Sequence, residues 1–71
     1  MSLAANQVPD YVIGQMTEGH LLSKISIRGG QILVAYLNIL TGKGVEVGYS
    51  PKKATELAEI LLQAARAAEG K

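Results

Sequence analysis

The sequence predicts a small α+β fold, with a four-stranded antiparallel β-meander over residues 10–49 and one C-terminal helix over residues 50–69. Two observations favour this fold. The first part of the chain holds four short apolar or alternating runs separated by glycine-containing turns, a pattern typical of antiparallel strands. An alanine- and leucine-rich run with helical periodicity follows Ser50 and Pro51. A chain of 71 residues is expected to form one domain, here preceded by a loose arm at residues 1–9.

Composition excludes several classes of protein. The chain has no cysteine and one histidine, so disulfides and zinc sites are not expected, and we predict no metal and no cofactor. Small domains without these supports are usually stabilised by self-association. No run is apolar enough to span a bilayer, and residues 1–9 lack the pattern of a secretory signal, so we expect a cytoplasmic protein with no membrane partner.

The first two strands are predicted from alternation and turn chemistry. Tyr11 to Met16 forms a short strand, broken by Gly14, before the turn at residues 17–19. The next strand runs from His20 to Arg28. The following pair of glycines, residues 29 and 30, predicts a two-residue hairpin, because such turns need positive φ.

The last two strands are predicted on either side of a four-residue loop. The third strand runs from Gln31 to Leu40, the loop covers residues 41–44, and the fourth strand runs from Val45 to Tyr49. This loop length predicts that Leu40 lies opposite Val45 and that Tyr36 lies opposite Tyr49.

Both faces of this predicted sheet are apolar. One face, which we call the helix-side face, is expected to be covered by the helix and holds Leu21, Ile25, Ile27, Ile32, Val34, Tyr36, Leu40, Val45, Val47 and Tyr49. The opposite face, which we call the far face, holds Leu22, Leu33, Ala35, Leu37 and Ile39 beside His20, Lys24 and Arg28. Four large aliphatic side chains left in water would forgo roughly 1.5 to 3 kcal/mol each. We therefore predict a subunit interface at Leu22, Leu33, Leu37 and Ile39.

The helix is the clearest element of the pattern. Ser50 is a favourable N-cap, Pro51 suits the first helical position, and residues 52–69 are rich in helix formers. The apolar stripe of the helix consists of Ala54, Leu57, Ala58, Leu61, Ala64, Ala65 and Ala68. At ~1.5 Å per residue the helix is long enough to lie across the sheet.

No catalytic motif is present. Ser23 is expected on the face opposite His20, and no third group orients the pair, so the sequence does not predict an enzyme. The loop around Lys43 is not a phosphate-binding loop. It lacks the glycine that should stand five residues before the Gly-Lys pair, it has no Ser or Thr directly after the lysine, and no helix begins there.

The basic residues of the far face suggest a second role for it, the binding of nucleic acid. Lys24 and Arg28, with His20, form a basic row beside the aliphatic row, and such a face can hold a single strand of nucleic acid. It can equally be a dimer face with a cationic rim. Lys52 and Lys53, in the first helical turn, are either solvated or part of an anion site.

Several strings in the chain resemble the positive-coactivator-four family of single-stranded-DNA-binding transcription proteins. The similar segments are Val12-Ile-Gly-Gln-Met16, Ile25-Ser-Ile-Arg-Gly-Gly-Gln-Ile-Leu-Val34 and Gly42-Lys-Gly-Val-Glu-Val47, the last leading into Ser50-Pro51. The resemblance implies a homodimer of ββββα subunits. It also implies that Lys24, Arg28, Lys43 and His20 contact nucleic acid.

The sequence therefore predicts a non-enzymatic, homodimeric nucleic-acid-binding module, with single-stranded DNA as its candidate ligand. Its candidate binding residues are Lys24, Arg28, Lys43, His20, Lys52 and Lys53. The alternative is a small homo-oligomeric assembly or protein-interaction module whose apolar far face is the subunit interface. The net charge of +1 does not itself indicate nucleic-acid binding, which usually comes with a clear basic excess, so the prediction rests on the local row of cations.

Overall fold

A computed structural model describes residues 10–70 of the chain. It contains four strands and one helix in the predicted order ββββα. The bounds are β1 (Tyr11–Glu18), β2 (Leu21–Arg28), β3 (Gln31–Asn38), β4 (Gly44–Tyr49) and α1 (Pro51–Glu69). The predicted arm at residues 1–9 lies outside the described residues.

The strands form one open antiparallel sheet in the order β1-β2-β3-β4, which confirms the predicted meander. The β2–β3 hairpin has the predicted register, with Arg28 opposite Gln31 and Ile25 opposite Val34. Gly29 and Gly30 have φ values of 58° and 80°, as a two-residue primed turn requires. The glycine pair therefore sets the alignment of the whole hairpin.

Strand β1 is longer than predicted and is irregular. It continues to Glu18, and the register with β2 shifts between Val12 and Gly14. Such a bulge bends an edge strand and increases its local twist. Gly14, which the sequence indicated as a break in the strand, thus marks a bulge within it.

The predicted register of β3 with β4 is wrong. Val45 lies opposite Tyr36 instead of Leu40, and Tyr49 lies opposite Ile32 instead of Tyr36. The cause is Asn38, whose Oδ1 accepts hydrogen bonds from the backbone N–H groups of Leu40 (3.0 Å) and Thr41 (3.2 Å). These bonds end β3 at Asn38, and residues 39–43 form the loop.

The correction moves Val45 four positions along β3, from Leu40 to Tyr36. Four is an even number, so the side chains of β4 remain on the predicted face. Leu40 leaves the helix-side face and is 72% exposed in the loop. Ile39 leaves the far face in the same way and is also exposed.

Helix α1 begins as predicted. Ser50 is the N-cap, with extended backbone angles, and its Oγ accepts a hydrogen bond of 3.2 Å from the backbone N–H of Lys53. Pro51 occupies the first turn, where its missing N–H costs nothing. At the other end the N–H of Gly70 donates to the carbonyl of Arg66 at 3.0 Å.

The helix covers much less of the sheet than predicted. It touches β3 and β4 at few positions, and only Ala54, Glu56 and Leu57 of α1 are even partly buried. Within the described residues, Leu33 and Val34 are the only buried apolar side chains. The Cα radius of gyration is 14.6 Å. A compact chain of this length would have about 11 Å. The described part of the chain is therefore extended and thinly packed.

Candidate nucleic-acid interface

The middle of the far face is a row of side chains that crosses three strands. Ala35 lies at its centre on β3, with Lys24 opposite it on β2 and Glu46 opposite it on β4. The next row contains Leu22, Leu37 and Gly44. Lys24 and Glu46 therefore flank an apolar strip at positions set by the register of both hairpins.

These two rows enclose a shallow depression of about 360 Å³. Leu22, Ala35 and Leu37 give its apolar part, and Lys24 and Glu46 add one charge of each sign. Gly44 lies opposite Leu37, where β4 approaches the backbone of β3 too closely for a side chain. A flat apolar group can lie in such a depression while an anionic group meets the lysine.

Arg28 lies on the far face near the β2–β3 turn, where two carboxylates surround it. Its Nε lies 3.9 Å from Oδ2 of Asp10, and its Nη1 lies 3.7 Å from Oε1 of Glu46. The other carboxylate oxygen of Asp10 accepts a hydrogen bond of 3.2 Å from the N–H of Gly29. All three charged side chains are well exposed, so each ion pair contributes at most about 1 kcal/mol.

The predicted cations do not form one patch. His20 and Lys43 lie in the β1–β2 turn and the β3–β4 loop, at one end of the sheet. These two connections touch, because the N–H of Ile39 donates to the carbonyl of His20 at 2.8 Å. Arg28 lies at the opposite end, roughly 25 Å away along the strands.

Lys52 and Lys53 belong to the same end as Arg28, since α1 begins after β4 beside the β2–β3 turn. Nζ of Lys53 forms an ion pair with Oε1 of Glu56 at 3.3 Å. Among residues 10–70, Lys24, Lys43 and Lys52 take part in no ion pair. Lys24 is thus the unpaired cation at the centre of the far face, with other cations at both ends.

The predicted interface residues differ in their surroundings. Leu33 is buried within the single chain at 7% exposure, and Leu22 is half-buried. Leu37 keeps about a third of its surface exposed. Ile39 lies in the loop beyond β3, apart from the other three residues.

Sequence reasoning missed the two acidic residues of this face. In the predicted register Glu46 falls opposite Ile39, at the end of the sheet, whereas in the structure it lies beside the central row. Asp10 directly precedes β1, and nothing in the sequence pattern pairs it with Arg28. The side chain of Asn38 was the available signal, because it sets the register that brings Glu46 next to Arg28.

No group of three or more His, Asp or Glu side chains within residues 10–70 is arranged to hold a metal ion. Helix α1 is not long and apolar enough to cross a bilayer. No protein-family model, curated protein sequence or solved structure matches this chain.

Proposed function

We propose that the protein is a non-enzymatic binding module that acts as a homodimer and holds a single strand of nucleic acid on the far face of its sheet. The observation that supports this most directly is the central depression, in which Lys24 lies beside an apolar strip. Sites for single-stranded nucleic acid combine cations for the phosphates with side chains on which the bases stack, and here aliphatic side chains stand where such sites usually have aromatic ones.

The ligand would run along β2, because the cations are spaced along that strand. Lys24 lies four residues from Arg28 and four from His20. At ~3.3 Å per residue these intervals are each about 13 Å. The ion pairs of Arg28 with Asp10 and Glu46 are long and exposed, so a phosphate can compete with them.

Glu46 limits the affinity that this face can have. Its carboxylate lies in the same depression as Lys24 and would repel a phosphate that approached it. It can accept a hydrogen bond from an amino or imino group of a base. The proposal therefore predicts modest affinity with strong salt dependence, rather than tight binding.

The test is fluorescence anisotropy of a labelled single-stranded oligothymidylate, titrated with the protein at several salt concentrations. Lys24→Ala is expected to weaken binding about tenfold, because it removes one charge-assisted hydrogen bond to a phosphate. The slope of log affinity against log salt should fall by about 0.7 for each phosphate that the variant no longer neutralises.

Arg66→Ala is the matched control, since Arg66 carries the same charge on the surface of α1 that also presents Glu59 and Gln63. It should leave the affinity unchanged. Equal weakening by both variants would mean that only net charge matters, and the far-face site would be wrong. An absence of binding even at low salt would contradict nucleic-acid binding altogether.

A second candidate function is assembly alone, with no nucleic-acid ligand. It is favoured by the large apolar surface that the single subunit leaves exposed and by the neutralisation of Arg28. A stable dimer that fails to bind the oligonucleotide at low salt would support this second candidate.

A further inference from the structure

Several large apolar side chains are exposed on the helix-side face, where the sequence predicted a closed core. Met16 is 68% exposed, Val45 64% and Leu61 60%. Tyr36 and Val47 each keep more than two fifths of their surface in water. The apolar side chains between this face and the helix are therefore only partly buried in the single chain.

A groove of about 390 Å³ separates α1 from the sheet on this face. Its apolar lining includes Met16, Ile25, Val34, Tyr36, Leu57 and Leu61. In the described part of the chain, no charged side chain lines it. A nucleic acid or a strongly charged peptide would find no partner here, so the occupant must be apolar.

The same chain supplies an occupant of this kind. From Ala58 to Gly70 every residue is exposed, although the predicted apolar stripe of α1 continues through Leu61, Ala64, Ala65 and Ala68. Small alanine side chains let two helices approach closely. A second copy would bring an identical stripe, and a two-fold axis would fill both grooves at once.

We propose that the helix-side face is the subunit interface of the homodimer, with α1 of each subunit packed antiparallel to α1 of the other and lying over the groove of the partner. This proposal rests on the homodimer proposed above and adds where the subunits meet. It differs from the expectation of an interface at Leu22, Leu33, Leu37 and Ile39. It also leaves the far face free for a ligand.

The exposed area is sufficient for such an interface. The six large apolar residues at issue are Tyr11, Met16, Tyr36, Val45, Val47 and Leu61, each between 43% and 68% exposed. Each then offers roughly 50 to 100 Å² of surface. With the alanine stripe added, a symmetric pair would bury on the order of 1,000 Å², which is the size that specific interfaces require.

Sedimentation velocity of two charge variants tests the proposal. Leu61→Glu places a carboxylate in the interface of both subunits and should raise the dimer dissociation constant about a hundredfold or more, because a buried charge has no counter-ion there. Leu61 is 60% exposed in the single subunit, so the substitution removes little of its packing within that subunit. Leu37→Glu, on the far face, is the matched control and should leave the dimer intact.

The outcomes separate this proposal from the one on which it rests. A wild-type protein that is monomeric at high concentration would overturn both. A wild-type dimer that Leu37→Glu dissociates and Leu61→Glu does not would overturn the helix-side interface alone. A wild-type protein that sediments as a dimer but does not bind the oligonucleotide would contradict the proposed ligand and leave the helix-side interface standing.

Cysteine cross-linking provides a second readout if Leu61→Glu fails to fold. The chain has no cysteine, so single substitutions give unambiguous products. Leu61→Cys, Ala65→Cys and Ala68→Cys, made separately, should include at least one that oxidises rapidly to a disulfide-linked dimer. Gln63→Cys, on the opposite side of α1, should not. If none of the three reacts faster than Gln63→Cys, the helices do not meet and the proposal is wrong.

Discussion

At the scale of single residues, the glycines of β4 show how closely the strands approach each other. A Cβ atom at Gly44 would collide with the backbone carbonyl oxygen of Tyr36. A Cβ atom at Gly48 would meet Oε1 of Gln31 at 3.1 Å and Cδ2 of Leu33 at 3.3 Å. The first obstacle is rigid backbone, whereas the second consists of the ends of flexible side chains.

Gly44→Ala should therefore destabilise the fold by about 1 to 3 kcal/mol, because the backbone of β3 would have to move. Gly48→Ala should change stability by less than about 1 kcal/mol, since Gln31 can turn aside and alanine restricts the unfolded chain. Urea midpoints of the two variants provide the measurement. Equal decreases in stability would show that the β3–β4 approach is not as close as described.

Residue-level features also decided which sequence predictions held. The Gly29-Gly30 turn was predictable because positive φ at both positions dictates one hairpin geometry. The β3–β4 loop was not, because side-chain hydrogen bonds from Asn38 override the simple loop length. An Asx turn at Asn38 explains why a polar residue ends the apolar strand β3.

At the scale of elements, α1 has a strong start and weak tertiary support. Ser50 caps its first turn, but this turn contains no acidic residue and carries Lys52 and Lys53. Two cations at the positive end of the helix dipole are unfavourable. The hydrogen bond from the Lys53 N–H to Ser50 is therefore expected to matter more for the stability of this helix than a cap does in a helix that is packed along its whole length.

Ser50→Ala should cost about 1 kcal/mol of stability, since the N–H of Lys53 would lose its acceptor. Ser50→Asp should be at least as stable as the wild type, because aspartate keeps an acceptor oxygen and adds a favourable negative charge. Thermal unfolding followed by circular dichroism at the helix band compares the three proteins. If Ser50→Ala unfolded at the same temperature as the wild type, the proposed role of the Ser50 cap would be wrong.

The existence and bounds of α1 were predictable from periodicity and capping, whereas its placement was not. Helix length shows only that the helix can span a sheet. How closely α1 packs on the sheet depends on the fit between Leu57 and Leu61 and the side chains of β1 to β3. A single sequence does not reveal this fit. The far-face cations were predicted one by one, but the pairing of Arg28 with Glu46 depended on the corrected register.

At the scale of the whole molecule, the chain is elongated and buries few apolar side chains. The described part of the chain measures 51 × 32 × 15 Å and buries only Leu33 and Val34. A domain of this size is marginally stable even when it is compact. Self-association would then supply much of the stability of the fold.

The melting temperature should accordingly rise with protein concentration. If folding and dimerisation are coupled, each tenfold increase in concentration adds about 1.4 kcal/mol per dimer, which raises the melting temperature by about 3 to 5 °C. Calorimetry over about two decades of concentration measures the shift. A constant melting temperature would mean that the subunit is stable alone.

The bulge in β1 has a consequence for how such subunits can grow into larger bodies. An open sheet has two free edges, and pairing the β1 edge of one molecule with the β4 edge of the next would repeat without end and yield a fibre. The register shift between Val12 and Gly14 twists one of these edges and spoils it as a template. We therefore expect the bulge in β1 to limit polymerisation through the sheet edges.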